Sequence, residues 1–219
     1  DLLGNAQSSI ADVRDLGSQL KAKCNTLSLL QRLQRQAVLE MTGEKPRRKT
    51  SLRDELGLLP SGWQDRIVAR AQASNTYADA IAVLAITGCR PEELVQGARV
   101  RLDREPAVIC IHGAKLGEHS GQPWREIEVA SSEFPPHLLQ CLREERDVAY
   151  VTIPSTDALR QALYDMSAEL WPAGIRVKPY HFRHSRAETL RQSGWAAHEI
   201  AAVLGERSAR TVAHYGRKT

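Results

Sequence analysis

The sequence is short of the features that mark secreted and membrane proteins. Its longest apolar run, AIAVLAI at 80–86, falls well below the ~20 residues needed to cross a bilayer. The N-terminus as given lacks the basic, apolar and small-residue layout of a signal peptide. The only cysteines are Cys24, Cys89, Cys110 and Cys141, widely spaced and without a CxxC pair. They read as reduced, mostly buried thiols in a cytoplasmic protein, not as a disulfide framework. Internal repeats and low-complexity tracts are missing as well. A chain that opens on Asp1 rather than Met reads as a trimmed or processed piece.

What is present suits a globular protein. The 219 residues, 42% hydrophobic and 26% charged, allow one large domain, or a domain with an appendage, around a real core. The net charge of +4 is modest but unevenly placed. From Arg176 to Thr219 there are nine Lys/Arg against three Asp/Glu, and four of the seven histidines. Positive charge gathered at one end suits a polyanionic partner, although a solvated basic face has the same composition.

Hydrophobic periodicity gives a mainly helical chain with a small sheet. Residues 7–42 carry apolar positions at three- and four-residue steps, with Asn25-Thr26 as a possible break. GEKPRRKTSLR, 43–53, has no periodicity and five basic residues, and reads as a linker. The resulting division is a helical segment over 1–44, a basic linker over 45–54 and a main domain over 55–219. Within the main domain, Ser61 is placed to cap a helix bearing Trp63, Ile67 and Ala71, and a second helix covers 76–87 and stops at Thr87-Gly88. Pro91, Glu92 and Glu93 suit the first turn of a third, where proline loses no hydrogen bond and carboxylates meet the positive dipole end. AVICIH (107–112) and REIEVA (125–130) are the only convincing strands and should pair as an antiparallel hairpin. Further helices are expected at about 156–170, 180–193, 196–204 and 208–216.

Four islands carry chemistry: TGCRPEEL (87–94), the hairpin loop with Lys115, YHFR (180–183) and LGERSARTVAHYGR (204–217). Singly, each has a plain structural reading. Arg90 can be a surface residue, Lys115 an exposed loop residue, Arg183 part of a salt-bridged helix start, and Tyr215 a half-buried helical aromatic. Together and in order they resemble the tyrosine recombinase (phage integrase) family. That family's catalytic domain carries an Arg in TGxRxxEL, a hairpin Lys, HxxR, and LGH followed nine residues later by a nucleophilic Tyr. Here Arg90, Lys115, Arg183 and Tyr215 fall at the matching positions, with Glu93 at the family's acidic position, and the resemblance covers roughly residues 55–217.

The resemblance implies a mainly α domain with a small antiparallel sheet, and cleavage and rejoining of DNA through a 3′-phosphotyrosine. Arg90 and Arg183 would hold the phosphate, Lys115 would protonate the departing 5′-oxygen and Tyr215 would attack. It implies neither metal nor other cofactor. Its partners would be double-stranded DNA, a tetramer of copies on that DNA and accessory DNA-bending proteins, in the cytoplasm and away from membranes. KPRRK (45–49) is placed to cross a phosphate backbone.

Two positions depart from the family pattern. Tyr180 stands where the histidine of HxxR belongs, and His181 is one helical step, about 100°, away from that place. Tyr180 can still donate a supporting hydrogen bond, whereas His184 is expected to pack behind the site. His181 and His184 as a metal pair lack a third ligand at suitable spacing. Glu206 stands where the family has His or Trp. A carboxylate there repels a phosphate unless it is protonated or paired, with Arg207 the partner at hand, and implies weak catalysis or an altered pH dependence.

Rival readings differ in how much of the pattern they cover. WAAHEIAAVLGERSARTVAHY (195–215) has the outline of a helix-turn-helix, so a DNA-binding module without cleavage activity is possible, but it leaves TGCRPEEL and Lys115 unexplained. An inactive relative that kept DNA binding accounts for all four islands and for Glu206 as well. Type IB topoisomerases and telomere resolvases use a similar residue set for other outcomes.

Overall fold

The computed structural model describes residues 51–216, apart from 75, 103–104, 118–120 and 145–146. The helices and linker expected over 7–53 lie outside the described residues, save the linker's last three, of which Leu52 and Arg53 open a helix.

Four short helices lead into the sheet: α1 (Leu52–Leu56), α2 (Trp63–Ser74), α3 (Ala78–Thr87) and α4 (Pro91–Gln96). The strands are β1 (Ala98–Arg101), β2 (Ala107–His112), β3 (Trp124–Val129) and β4 (Val148–Val151), with α5 (Pro136–Glu144) before the last of them. Then follow α6 (Thr156–Leu170), α7 (Pro179–Gln192), α8 (Ala197–Leu204) and α9 (Ala209–Val212). No helix among the described residues is long and apolar enough to cross a membrane.

The core explains the order. α3 is apolar nearly all round, with Ala80–Leu84 and Ile86 buried, so it runs through the middle of the helical layer and packs on α2 and α7. It ends where Gly88 takes a left-handed conformation (φ 63°). A Cβ on Gly88 would lie 2.9 Å from the Cβ of Arg186 and 3.3 Å from the Cα of Arg183. Glycine therefore both ends α3 and lets α7 approach closely. α4 starts at once, its first turn closed by Glu93, whose Oε2 accepts the Arg90 N–H at 2.9 Å.

The sheet is antiparallel throughout, in the order β3-β2-β1-β4. β2 and β3 form the expected hairpin, with Ala107 opposite Val129 and His112 opposite Trp124. The two further strands correct the expectation of a lone hairpin. ARVR and VAYV are four residues each and bury two side chains apiece, Ala98 and Val100, and Ala149 and Val151. That is too short a run for alternation to stand out. α5, which opens on Pro136 directly after Pro135, is likewise an addition to the expected elements. α9 is shorter than the 208–216 expected: it stops at Val212, and its end is closed by Arg53, whose guanidinium donates to the carbonyls of Ala213 (3.1 Å) and Gly216 (2.7 Å). A second helix of four residues is too short to serve as a recognition helix, so the helix-turn-helix reading fails.

Candidate active site

Two buried ion-pair layers bring the sequence islands together. The deeper is centred on Glu93, whose side chain is fully buried. Its carboxylate accepts from Arg90 Nη1 at 3.1 Å and from Arg125 Nη2 at 2.7 Å and Nη1 at 3.2 Å. Arg125 also donates from Nε to the carbonyl of Val203 at 2.8 Å, which ties β3 to α8. Arg125 was not singled out from the sequence, yet a signal was there. In WREIEV it shares the inward face with Ile127 and Val129, and a charge on the apolar side of a strand needs a buried partner.

The outer layer is centred on Glu206. Its Oε1 receives Arg90 Nη2 at 2.7 Å, Arg183 Nη2 at 2.6 Å and the Tyr215 hydroxyl at 2.7 Å. The partners of this carboxylate are thus Arg90 and Arg183, where the sequence suggested Arg207; Arg207 donates to the carbonyl of Gly117 at 3.2 Å. Burial raises the Glu206 carboxyl, but the Tyr215 hydrogen bond and the Arg183 and Arg90 charges outweigh it, so it lies below the ordinary carboxylate value. Glu206 is therefore ionised at neutral pH. Burial, with the Glu206 hydrogen bond, raises the Tyr215 hydroxyl above its ordinary value against the pull of Arg183.

Arg183 is fully buried and held independently of Glu206. Its Nη1 donates to the carbonyl of Gly88 at 3.0 Å and its Nη2 to that of Leu204 at 2.7 Å, while its Nε–H has no partner among the described residues. Its guanidinium lies 4.9 Å from the centre of the Tyr215 ring. His184 meets the same ring edge-on at 5.2 Å, the supporting position expected of it. Tyr215 sits just past α9 rather than on a helix, and Arg191 fixes its carbonyl at 3.2 Å.

The remaining expected residues lie outside this cluster. Tyr180 points its hydroxyl at Glu92 Oε2, 3.4 Å away, at the rim. Burial, then Glu92, pushes it up to about 12, against Arg183 and Arg90. Lys115 is exposed in the loop between β2 and β3. The base of that loop is strapped to the Glu206 turn: Gln122 donates from its backbone to the Gly205 carbonyl and from its side chain to the Glu206 carbonyl, both at 3.1 Å. No group of three or more metal-ligating side chains occurs among the described residues.

His181 turns away, as its helical phase requires. Its Nδ1 accepts the Lys178 N–H at 3.1 Å and its Nε2 lies 3.1 Å from Glu55 Oε2, so the neutral ring carries its proton on Nε2. Burial brings His181 down to about 4 against the opposing pull of Glu55. Burial, then the neighbouring His181, Arg53 and Arg183, brings His184 to about 4 as well. Both rings bind protons more weakly folded than unfolded, so stability is complete above the ordinary histidine value and falls as pH drops from about 6.5 towards 4. Urea melts should lose up to ~1.4 kcal/mol per pH unit for each histidine across that window. A stability unchanged between pH 6.5 and 5 would contradict the placement of both rings.

No family model matches this sequence, and no curated protein matches it. Solved structures do. XerA recombinase superposes with a TM-score of 0.55 at 19% identity, covering 74% of this chain and 60% of its own. The XerH recombinase post-cleavage complex with palindromic difH substrate gives 0.50 at 17%, covering 72% and 48%. The Tn1549 transposon integrase in complex with a circular intermediate DNA gives 0.50 at 16%, covering 80% and 65%. This chain thus spans between about half and two thirds of the length of these proteins. At such identities the likeness concerns architecture alone. The described residues have the fold of a tyrosine recombinase catalytic domain.

Proposed function

We propose that this protein is a site-specific DNA recombinase that breaks and rejoins strands through a tyrosyl ester. The observation that carries the reading is the convergence of Arg90, Arg183 and the Tyr215 hydroxyl on one oxygen-sized position, now held by Glu206 Oε1. Two guanidinium groups and a nucleophile are what an in-line attack on a phosphodiester needs at that spacing. The DNA-bound XerH and Tn1549 structures of the same fold add support for a DNA substrate.

Tyr215 Oη forms a bond to phosphorus as the bond from phosphorus to the 5′-oxygen breaks. The tyrosyl proton leaves to solvent, and Lys115 Nζ supplies the proton taken by the 5′-oxygen, so the step is balanced. The ester keeps the energy of the broken bond, and attack by a 5′-hydroxyl reverses it without ATP. Neither step needs a metal or other cofactor. Tyr180 lends the phosphate a hydrogen bond from the rim. Copies of the chain assemble on the DNA, with accessory bending proteins setting direction.

The test is covalent trapping on nicked suicide duplexes drawn from DNA flanking the gene, followed by denaturing electrophoresis. An adduct resistant to denaturant supports the reading; DNA binding with no adduct would leave a DNA-binding relative without cleavage. The ionised carboxylate of Glu206 on both arginines is the observation that favours this second reading. Lys115 has its own test. Lys115→Ala should slow cleavage on the order of 10²-fold or more on ordinary DNA. It should recover on DNA with a 5′-bridging sulfur, a leaving group that needs no proton. Loss on both substrates would remove the general-acid role.

A further inference from the structure

We propose that Glu206 is a built-in anion seated in the phosphate position, and that an oxyanion enters this site only by displacing its carboxylate. The inference rests on the reading above for the identity of the oxyanion, a DNA phosphodiester, and on the geometry for the rest.

One oxygen of Glu206 takes the facing donors of Arg90, Arg183 and Tyr215, each within 2.7 Å. A phosphate oxygen bound by both arginines and lying before the tyrosine hydroxyl needs those same donors. The side chain is buried, with 6% exposure, and ionised, so it is a true competitor and not a solvated neighbour. It is also a poor proton acceptor for Tyr215, because the same arginines that hold it favour the carboxylate form.

Charge points the same way. Arg90, Arg125 and Arg183 stand against Glu93 and Glu206, an excess of one positive charge with Glu206 in place and of two without it. Attack on a phosphodiester monoanion builds a doubly negative phosphorane, which two uncompensated guanidinium charges match and one does not.

The arginines stay placed when the carboxylate leaves. Arg90 keeps Glu93, and Arg183 keeps the carbonyls of Gly88 and Leu204. The Glu206 backbone is held by its N–H to the Ala201 carbonyl at 2.8 Å and by Gln122 on its own carbonyl. Release of the carboxylate is thus a side-chain rotation on a fixed turn, and Glu206 sets how strongly the site prefers itself over a ligand.

The experiment measures binding of inorganic phosphate and tungstate by calorimetry, with full-length wild type, Glu206→Gln and Glu206→Asp. Glu206→Gln keeps the shape and removes the charge, and should bind about tenfold more tightly or better. Glu206→Asp keeps the charge but falls a methylene short of the three donors, and should lie between the two. It also serves if the glutamine variant does not fold. Adding Arg183→Ala to Glu206→Gln should remove the gain, which locates the anion. Equal affinities across wild type and both variants would overturn the proposal. Suicide-duplex trapping with the same proteins separates it from the recombinase reading. Tighter anion binding without any adduct keeps the displaced carboxylate and sinks the recombinase. An adduct with unchanged anion affinity does the reverse.

Discussion

Tyr215→Phe should eliminate the protein–DNA adduct expected of wild type and the larger amount expected from Glu206→Gln. Loss of a covalent nucleophile elsewhere costs on the order of 10⁶-fold in kcat, so nothing above background is expected. The change is clean for structural reasons. Phenylalanine keeps the edge-on contact with His184 and the Arg183 guanidinium over the ring. The donation to Glu206 and the hydroxyl's hydrogen bond with Arg183 disappear, but the Glu206 oxygen retains two guanidinium donors, so stability should change by about 1 kcal/mol. DNA affinity by gel shift should stay within a few-fold of wild type. An adduct that survives in Tyr215→Phe would place the nucleophile elsewhere and undo the assignment.

The second large effect concerns stability. Glu93→Gln leaves Arg90 and Arg125 facing each other in a site closed to solvent, with Glu93 fully buried and Arg125 at 6% exposure. Breaking a buried pair by removing one partner costs about 3–5 kcal/mol, because the other charge is left uncompensated. Urea midpoints should fall accordingly. The pair variant Glu93→Gln/Arg125→Gln removes one charge of each sign and should cost less than the sum of the single changes. Strict additivity would mean that the three groups act through packing, not charge. Catalysis should suffer too, since Arg90 is aimed from both sides, by Glu93 on Nη1 and Glu206 on Nη2.

Much of this cluster is legible in the sequence, and the reasons differ residue by residue. The stop at Thr87-Gly88 and the start at Pro91 are local events, governed by backbone freedom and the loss of one N–H, so the placement of Arg90 followed from its neighbours. His181 facing away from Tyr215 follows from helical phase alone. Other features depend on residues far apart in the chain. That Glu206 answers to Arg90 and Arg183 could not be read from 206 and 207, because the nearest basic residue in sequence is not the nearest in space. Arg125 was passed over because a strand's inner face is defined by what covers it, here α8. Tyr215 lies beyond its helix because Arg53 and Arg191 hold the turn from elsewhere. The strands β1 and β4 bury too few side chains for any pattern to show, and pairing with β2 and with each other gives them their form.

The strap from Gln122 to Gly205 and Glu206 has a mechanical meaning. A loop free to swing about its two strand ends would search many orientations before its tip met the substrate. Gln122 ties the root of the Lys115 loop to the turn that bears the outer carboxylate, so that root takes its position from the turn. In the proposed reaction, the proton donor and the anion seat would thereby be gauged against one another through two hydrogen bonds of 3.1 Å, without contact between Lys115 and Glu206 themselves.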